Sequence, residues 1–174
     1  MIRKCTASDF ERIYEIVNNG AEVYKGVIPS EYWTEPYMSR EELRRELDDG
    51  IEMWGYEDNR ELVGVMGIQH RKNVTLIRHA YVCTTKQHQG IGGKLLSYLR
   101  ELTTEPILIA TWSNVVWAVA FYEKHGFRLL SREEGDMLQR KYWSSPEVKI
   151  YASVVLADEK WIDFQTRESN RLEK

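Results

Sequence analysis

The sequence has little cysteine, little proline and no long apolar run, and each scarcity narrows what the chain is. Two cysteines, Cys5 and Cys83, in 174 residues make no disulfide framework, and a chain of this length buries a sizeable core without one. A reducing, cytoplasmic compartment is expected. Nowhere do about eighteen apolar residues run together, which excludes a membrane-spanning helix. The opening Met1-Ile2-Arg3-Lys4-Cys5-Thr6 leads into polar Ser8 and Asp9 without an apolar signal stretch. Positive charge is not in excess: 24 Lys and Arg stand against 27 Asp and Glu, a net charge of -3, so no global field holds a nucleic acid. The four histidines, His70, His79, His88 and His125, lie at no metal-ligand spacing with one another or with the cysteines, so no metal is expected. No repeat or linker-like stretch divides the chain, which reads as a single domain over residues 1–156. Residues 157–174 read as a charged tail, interrupted by Trp161, Ile162 and Phe164, that docks on the domain or on a second subunit of a homodimer.

What is present is alternating helix and strand periodicity. After a short strand at residues 2–5, Ser8-Asp9-Phe10-Glu11 has the capping-box form. It predicts a helix with Phe10, Ile13, Ile16 and Val17 on one face, stopped by Asn18-Asn19-Gly20. A second capping box, Ser39-Arg40-Glu41-Glu42, predicts a helix carrying Leu43 and Leu47 and ending at Gly50. The period then shortens to that of strands, with a hairpin over residues 51–68 turning at Glu57-Asp58-Asn59-Arg60. Further strands are expected at 74–83, 107–110 and 127–130, with a helix over 115–124 ended by Gly126. Residues 131–140 read as a charged loop and 148–156 as the last strand. The order predicts a mixed α/β sheet, not a strictly alternating doubly wound one.

The most informative run is Gln87-His88-Gln89-Gly90-Ile91-Gly92-Gly93-Lys94, between the strand at 74–83 and a helix whose core face is expected to carry Ile91, Leu95, Leu99 and Leu102. Three glycines in a first helical turn cost helix propensity, so something other than helix stability selects them. Without Cβ atoms they admit a close partner, and the first N–H groups of a helix lack internal acceptors and carry partial positive charge. An anion such as phosphate fits that place. A Walker loop fails because Leu95 follows Gly93-Lys94, and a dinucleotide fingerprint fails because Leu95 stands where its third glycine belongs.

The spacing Gln87, Gly90, Gly92 resembles the pyrophosphate loop of the GCN5-related N-acetyltransferase (GNAT) family, Arg/Gln-x-x-Gly-x-Gly/Ala between a strand and a helix. A second block, Asn114 followed by Ala120-Phe121-Tyr122-Glu123-Lys124-His125-Gly126-Phe127, is similar to the family's Asn…Ala-x-x-Phe-Tyr-x-x-x-Gly-Phe segment. The entry to the loop, Cys83-Thr84-Thr85-Lys86, departs from the proline and aromatic often found there. The resemblance implies a GNAT-like acyl-CoA N-acyltransferase fold with splayed central parallel strands. It also implies transfer of an acetyl group from acetyl-CoA to an amine. Main-chain groups of Tyr81, Val82 and Cys83 would pair with the pantetheine arm. Gln87, His88, Gln89, Gly90, Ile91, Gly92, Gly93 and Lys94 would cradle the pyrophosphate.

Two proton transfers then need groups. Tyr122 matches the family's general acid, and a phenol with an ordinary pKa near ~10 is a competent donor to a thiolate. The alternative is a core tyrosine with an internally satisfied hydroxyl. Asn114 either contacts the pantetheine or caps the helix that follows. The strand at 74–83 holds no carboxylate, so His79 is the base read from it, with a structural histidine, Glu22 or an ordered water chain as alternatives. An acyl-cysteine at Cys83 lacks an activating partner. Tyr24, Tyr32, Trp33 and Tyr37 form an aromatic-rich segment that lines an acceptor pocket or simply covers the core, and an aromatic pocket suits a small-molecule amine or amino acid. The missing carboxylate keeps a second function in view, a non-catalytic acyl-CoA-binding or sensing module. Nucleic-acid and membrane partners are not expected.

Overall fold

The computed structural model describes residues 1–173, which divide into two compact units. The first unit comprises Met1–His70 and Ile77–Thr104. It holds β1 (Ile2–Lys4), α1 (Phe10–Gly20), α2 (Arg40–Asp48), β2 (Glu52–Asp58), most of β3 (Glu61–Arg71) and of β4 (Val74–Val82), and α3 (Ile91–Glu101). Its core is the apolar face of α1, with Ile13, Ile16 and Val17, packed with Leu43 of α2 and with Met53, Leu62 and Val65 of the hairpin. Each of these side chains is buried from the solvent, the periodicity of both helices having turned one stripe inward.

The N-terminal helix starts differently from the expectation. Asp9, not Glu11, makes the reciprocal bond, its carboxylate accepting from the Thr6 N–H at 2.7 Å, so a 3-10 turn at Ala7–Asp9 precedes α1. The same carboxylate group accepts from Nη1 and Nη2 of Arg3, each at 2.9 Å, tying β1 to the helix start. The Arg3 hydrogen bonds, joined by those from Thr6, hold Asp9 down at about 2, from an ordinary value of 3.8. Its stabilisation is therefore complete above the ordinary value and is lost as pH falls toward about 2. Asp9→Asn is expected to destabilise the protein by about 2 kcal/mol at neutral pH. Urea denaturation at pH 7 and at pH 3 checks this: the gap between variant and parent should shrink in acid.

The second unit comprises residues 71–76 and 105–173. It holds the first residues of β4, then β5 (Ile107–Trp112), α4 (Val116–Lys124), β6 (Arg128–Leu129), α5 (Arg132–Tyr142), α6 (Glu147–Tyr151), β7 (Ser153–Ala157) and α7 (Glu159–Leu172). Two expectations are corrected here. The stretch expected as a charged loop is the helix α5, opened by Ser131, whose hydroxyl accepts from the Glu134 N–H. Ser131-Arg132-Glu133-Glu134 has the capping-box form in sequence, and Leu138 and Tyr142 supply the buried face of the helix. The expected strand at 148–156 is a short helix, α6, followed by β7, because Pro146 opens a helical turn that takes in Val148 and Ile150 before the strand begins at Ser153. The tail carries a helix: Asp158 caps α7 by accepting from the Trp161 N–H, and Trp161 is buried among Leu76, Leu108, Leu138 and Val155.

Seven strands make a mixed sheet in the order β1-β2-β3-β4-β5-β7-β6. The β1-β2-β3 and β5-β7-β6 pairings are antiparallel.

Candidate active site

In the first unit the end of β4 is fastened before the glycine run begins. The Cys83 N–H donates to the Val63 carbonyl at 2.9 Å and its carbonyl accepts from the Lys86 N–H at 2.8 Å. Both main-chain groups of Cys83 are thus engaged within the chain. Asn19, at the end of α1, accepts from the Thr84 N–H at 2.9 Å, and Lys86 forms an ion pair with Asp58 at 2.7 Å. The Gln87 amide turns back to donate to the Val82 carbonyl at 3.3 Å, closing the loop on the strand.

His88 (φ 61) and Gly90 (φ 78) then take left-handed backbone conformations, and α3 starts at Ile91 with Gly90 as its cap. A Cβ on Gly90 would meet nothing within 4 Å, so its glycine serves the left-handed turn and not a close contact. No side chain caps this end, so the first N–H groups of α3 have no side-chain acceptor at the positive end of the helix dipole. The helix is seated by Ile91, which is buried. A Cβ built on Gly64 of β3 would lie 2.9 Å from the Ile91 Cγ2. Gln89 and Lys94 are exposed, Gly92 and Gly93 half-buried, and the Lys94 ammonium stands 5.5 Å from the Tyr56 ring centre.

Before it reaches the loop, β4 is itself irregular. His79 has φ 49, a left-handed residue inside a strand, and its Nε2 meets the Glu46 carboxylate of α2. Two residues on, Tyr81 joins an aromatic group with Tyr24, whose ring centre lies 6.1 Å away; Tyr24 meets Tyr37 at 5.7 Å, and Tyr37 stacks on Trp33 at 5.8 Å. Burial, then the neighbouring Tyr37 and Tyr24, push the Tyr81 phenol well above its ordinary range, and burial raises that of Tyr24. These phenols stay neutral and act as hydrogen-bonding tips on an apolar wall. Tyr32 sits half-buried in the 3-10 turn Ser30–Tyr32 of the same segment, and Glu22 is exposed.

In the second unit, Tyr122 lies on α4, buried between Phe121 and Phe127 with ring centres 5.1 and 6.0 Å away. Gly126 (φ 88) ends the helix and lets the Phe127 N–H return to the Tyr122 carbonyl at 3.1 Å. Asn114 is exposed and does not cap α4: Val115 occupies that position, with no side-chain bond to the helix end.

Asn19, Asp58 and Glu46 were missing from the sequence reading. Asn19 read only as a helix stop, and nothing in the spacing links Glu46 to a strand 33 residues later. Burial raises the Cys83 thiol above its ordinary value, opposed in part by Arg12, whose guanidinium stands 4.0 Å from the sulfur. A protonated thiol is a poor nucleophile. Among the described residues no helix is long and apolar enough to cross a membrane.

A family model described as an acetyltransferase (GNAT) domain matches residues 15–136. No curated protein matches the chain. Among solved structures, the PaiA N-acetyltransferase of Thermoplasma acidophilum, in complex with coenzyme A, is 20% identical over 91% of this chain and 97% of its own, with a TM-score of 0.66. A GNAT-family acetyltransferase of Staphylococcus aureus is 19% identical over the same shares, with a TM-score of 0.67. The N-acetylglutamate synthase of Neisseria gonorrhoeae, complexed with coenzyme A and N-acetyl-glutamate, is 16% identical over 91% of this chain and 34% of its own, with a TM-score of 0.61. At these identities the likeness is one of fold, and it agrees with the family match: this chain belongs to the GNAT acetyltransferase family.

Proposed function

We propose that this protein transfers the acetyl group of acetyl-CoA directly to a primary amine of a small molecule or amino acid, in a ternary complex and within one catalytic domain. The observation that carries the reading is the uncapped start of α3 behind the left-handed Gly90, a donor cluster suited to a diphosphate. Gln87 to Lys94 hold that diphosphate through main-chain N–H groups, and the exposed Lys94 adds charge. Main-chain groups of Tyr81 and Val82 meet the pantetheine amides, the Val82 carbonyl through the lone pair that Gln87 leaves open; Cys83 has less to offer, both its groups being bonded internally. Asn114 contacts the pantetheine in this reading.

The chemistry asks for a neutral amine, an electrophilic thioester and a protonated leaving thiolate. His79 takes a proton from the acceptor ammonium and Tyr122 gives one to the thiolate. Tyr24, Tyr32, Trp33 and Tyr37 line the acceptor pocket, their faces suited to an alkylammonium stem and their neutral phenols to its polar groups. The proposed setting is the cytoplasm, with no metal.

Titration calorimetry with acetyl-CoA, followed by thiol release in a panel of small amines, tests the proposal. Binding with acceptor-dependent release is the expected result. Binding without release for any amine would move the reading to an acyl-CoA-sensing module, and no binding would overturn it.

A further inference from the structure

Residues 78 and 79 of a regular strand point to opposite faces. Here the left-handed φ of His79 breaks that alternation, and both side chains reach one carboxylate: His79 through Nε2, and Arg78 through Nη2 at 3.4 Å from the Glu46 Oε1. Arg78 is held in turn by Gln69 of β3, whose amide oxygen accepts from Nη1 at 2.7 Å. The Gln69 NH2 donates to the Asp49 carbonyl at 2.9 Å and to its carboxylate at 3.2 Å. The charged groups around the imidazole are therefore Glu46 and Arg78 directly, and Asp49 beyond Gln69. The side chains of His79, Arg78 and Glu46 are 12%, 18% and 24% exposed, so the group is largely shielded from water.

An ionised carboxylate only accepts, so Nε2 must be the protonated nitrogen of the ring. Among the described residues, Nδ1 of His79 has no hydrogen-bond partner. A left-handed conformation at a non-glycine residue is strained, and it persists because the surroundings over-determine it.

We propose that Glu46 is a positioning residue for His79: its carboxylate holds the Nε2–H and thereby reserves the Nδ1 lone pair for a proton of the acceptor amine. This rests on the reading of His79 as the base. The acceptor ammonium gives one N–H proton to Nδ1, and the freed lone pair bonds the thioester carbonyl carbon. The C–S bond breaks toward sulfur, and the thiolate takes the Tyr122 phenol proton. A second proton lost from the acylated nitrogen restores the phenol through solvent. The proton on Nδ1 leaves to water, so each transfer releases one proton overall. Glu46 compensates the charge that the imidazole carries in between.

Histidine side-chain 15N NMR on the full chain, with the His79 signal identified by its loss in His79→Gln, reads the tautomer directly. The parent is expected to show the Nε2–H form, and Glu46→Leu a mixture of the two. A parent in the Nδ1–H form, or a tautomer unmoved in Glu46→Leu, overturns the proposal. With an amine found by thiol release, Glu46→Gln is expected to lower kcat about tenfold and move the rising limb of the rate profile to lower pH. Glu46→Asp should restore part of the rate, and the KM for acetyl-CoA should stay unchanged. A purely structural carboxylate would lower the melting temperature in all three variants and leave tautomer and limb in place. If His79→Gln keeps full activity, the base assignment falls; if it abolishes activity while Glu46→Gln leaves the limb where it was, the role of Glu46 alone falls. Acetyl-CoA binding measured on every variant separates either result from loss of fold.

Discussion

Replacing Tyr122 by phenylalanine is expected to leave acetyl-CoA affinity within about twofold of the parent while lowering kcat by about 100-fold or more, the range of general acid catalysis. The side chain is buried, and its ring packs edge-on against Phe121 and Phe127, contacts that phenylalanine keeps in full. The substitution therefore removes one hydroxyl and no packing, and the variant should still fold. Single-turnover thiol release with saturating acceptor isolates the chemical step. A phenol must begin protonated to serve as donor, so the parent rate should hold on the alkaline side until the hydroxyl itself ionises, and that limb should be absent from the variant. Turnover equal to that of the parent would assign Tyr122 to the core instead.

Gly92→Asp should weaken binding of acetyl-CoA, and of CoA itself, by about 100-fold or more. The residue stands in the first turn of α3, whose donors no side chain satisfies. An aspartate there occupies the N–H groups from within and sets a fixed negative charge against the diphosphate, and like charges brought together in this way cost several kcal/mol. The same change is mildly favourable for the helix alone, because acidic residues suit a helix start and glycine is a poor helix former. Affinity and stability should thus move in opposite directions. Calorimetric binding and a melting curve without ligand check both, and a variant that bound CoA as tightly as the parent would remove the diphosphate from this turn.

Much of the first unit was legible because its signals are local. A capping residue, an apolar stripe and a terminating glycine lie within one helix, so α2 and α3 run where the periodicity puts them. The run from Gln87 to Lys94 could be placed between a strand and a helix for the same reason. The C-terminal third was less legible. In α5 the charges outnumber the apolar residues, and its buried side, Leu138 and Tyr142, becomes visible only once a partner core exists. In α6 and β7 a proline-led turn and a β-branched run adjoin, and propensity alone merged them into one strand. The site was legible in its glycines and illegible in its supports: Asn19, Asp58 and Glu46 act at sequence separations of 65, 28 and 33, and no spacing rule connects them to the residues they hold.

The bare spot that Gly64 leaves on β3 ties two distant stretches of chain into a single mechanical part. Because Ile91 fills it, the hairpin behaves as a footing for the start of α3, and the aim of its first amides depends on a position 27 residues upstream. Drift at Gly64 would therefore be expected to register in coenzyme affinity before it registers in folding, which makes a strand glycine outside any motif one of the positions where this enzyme's working range is decided.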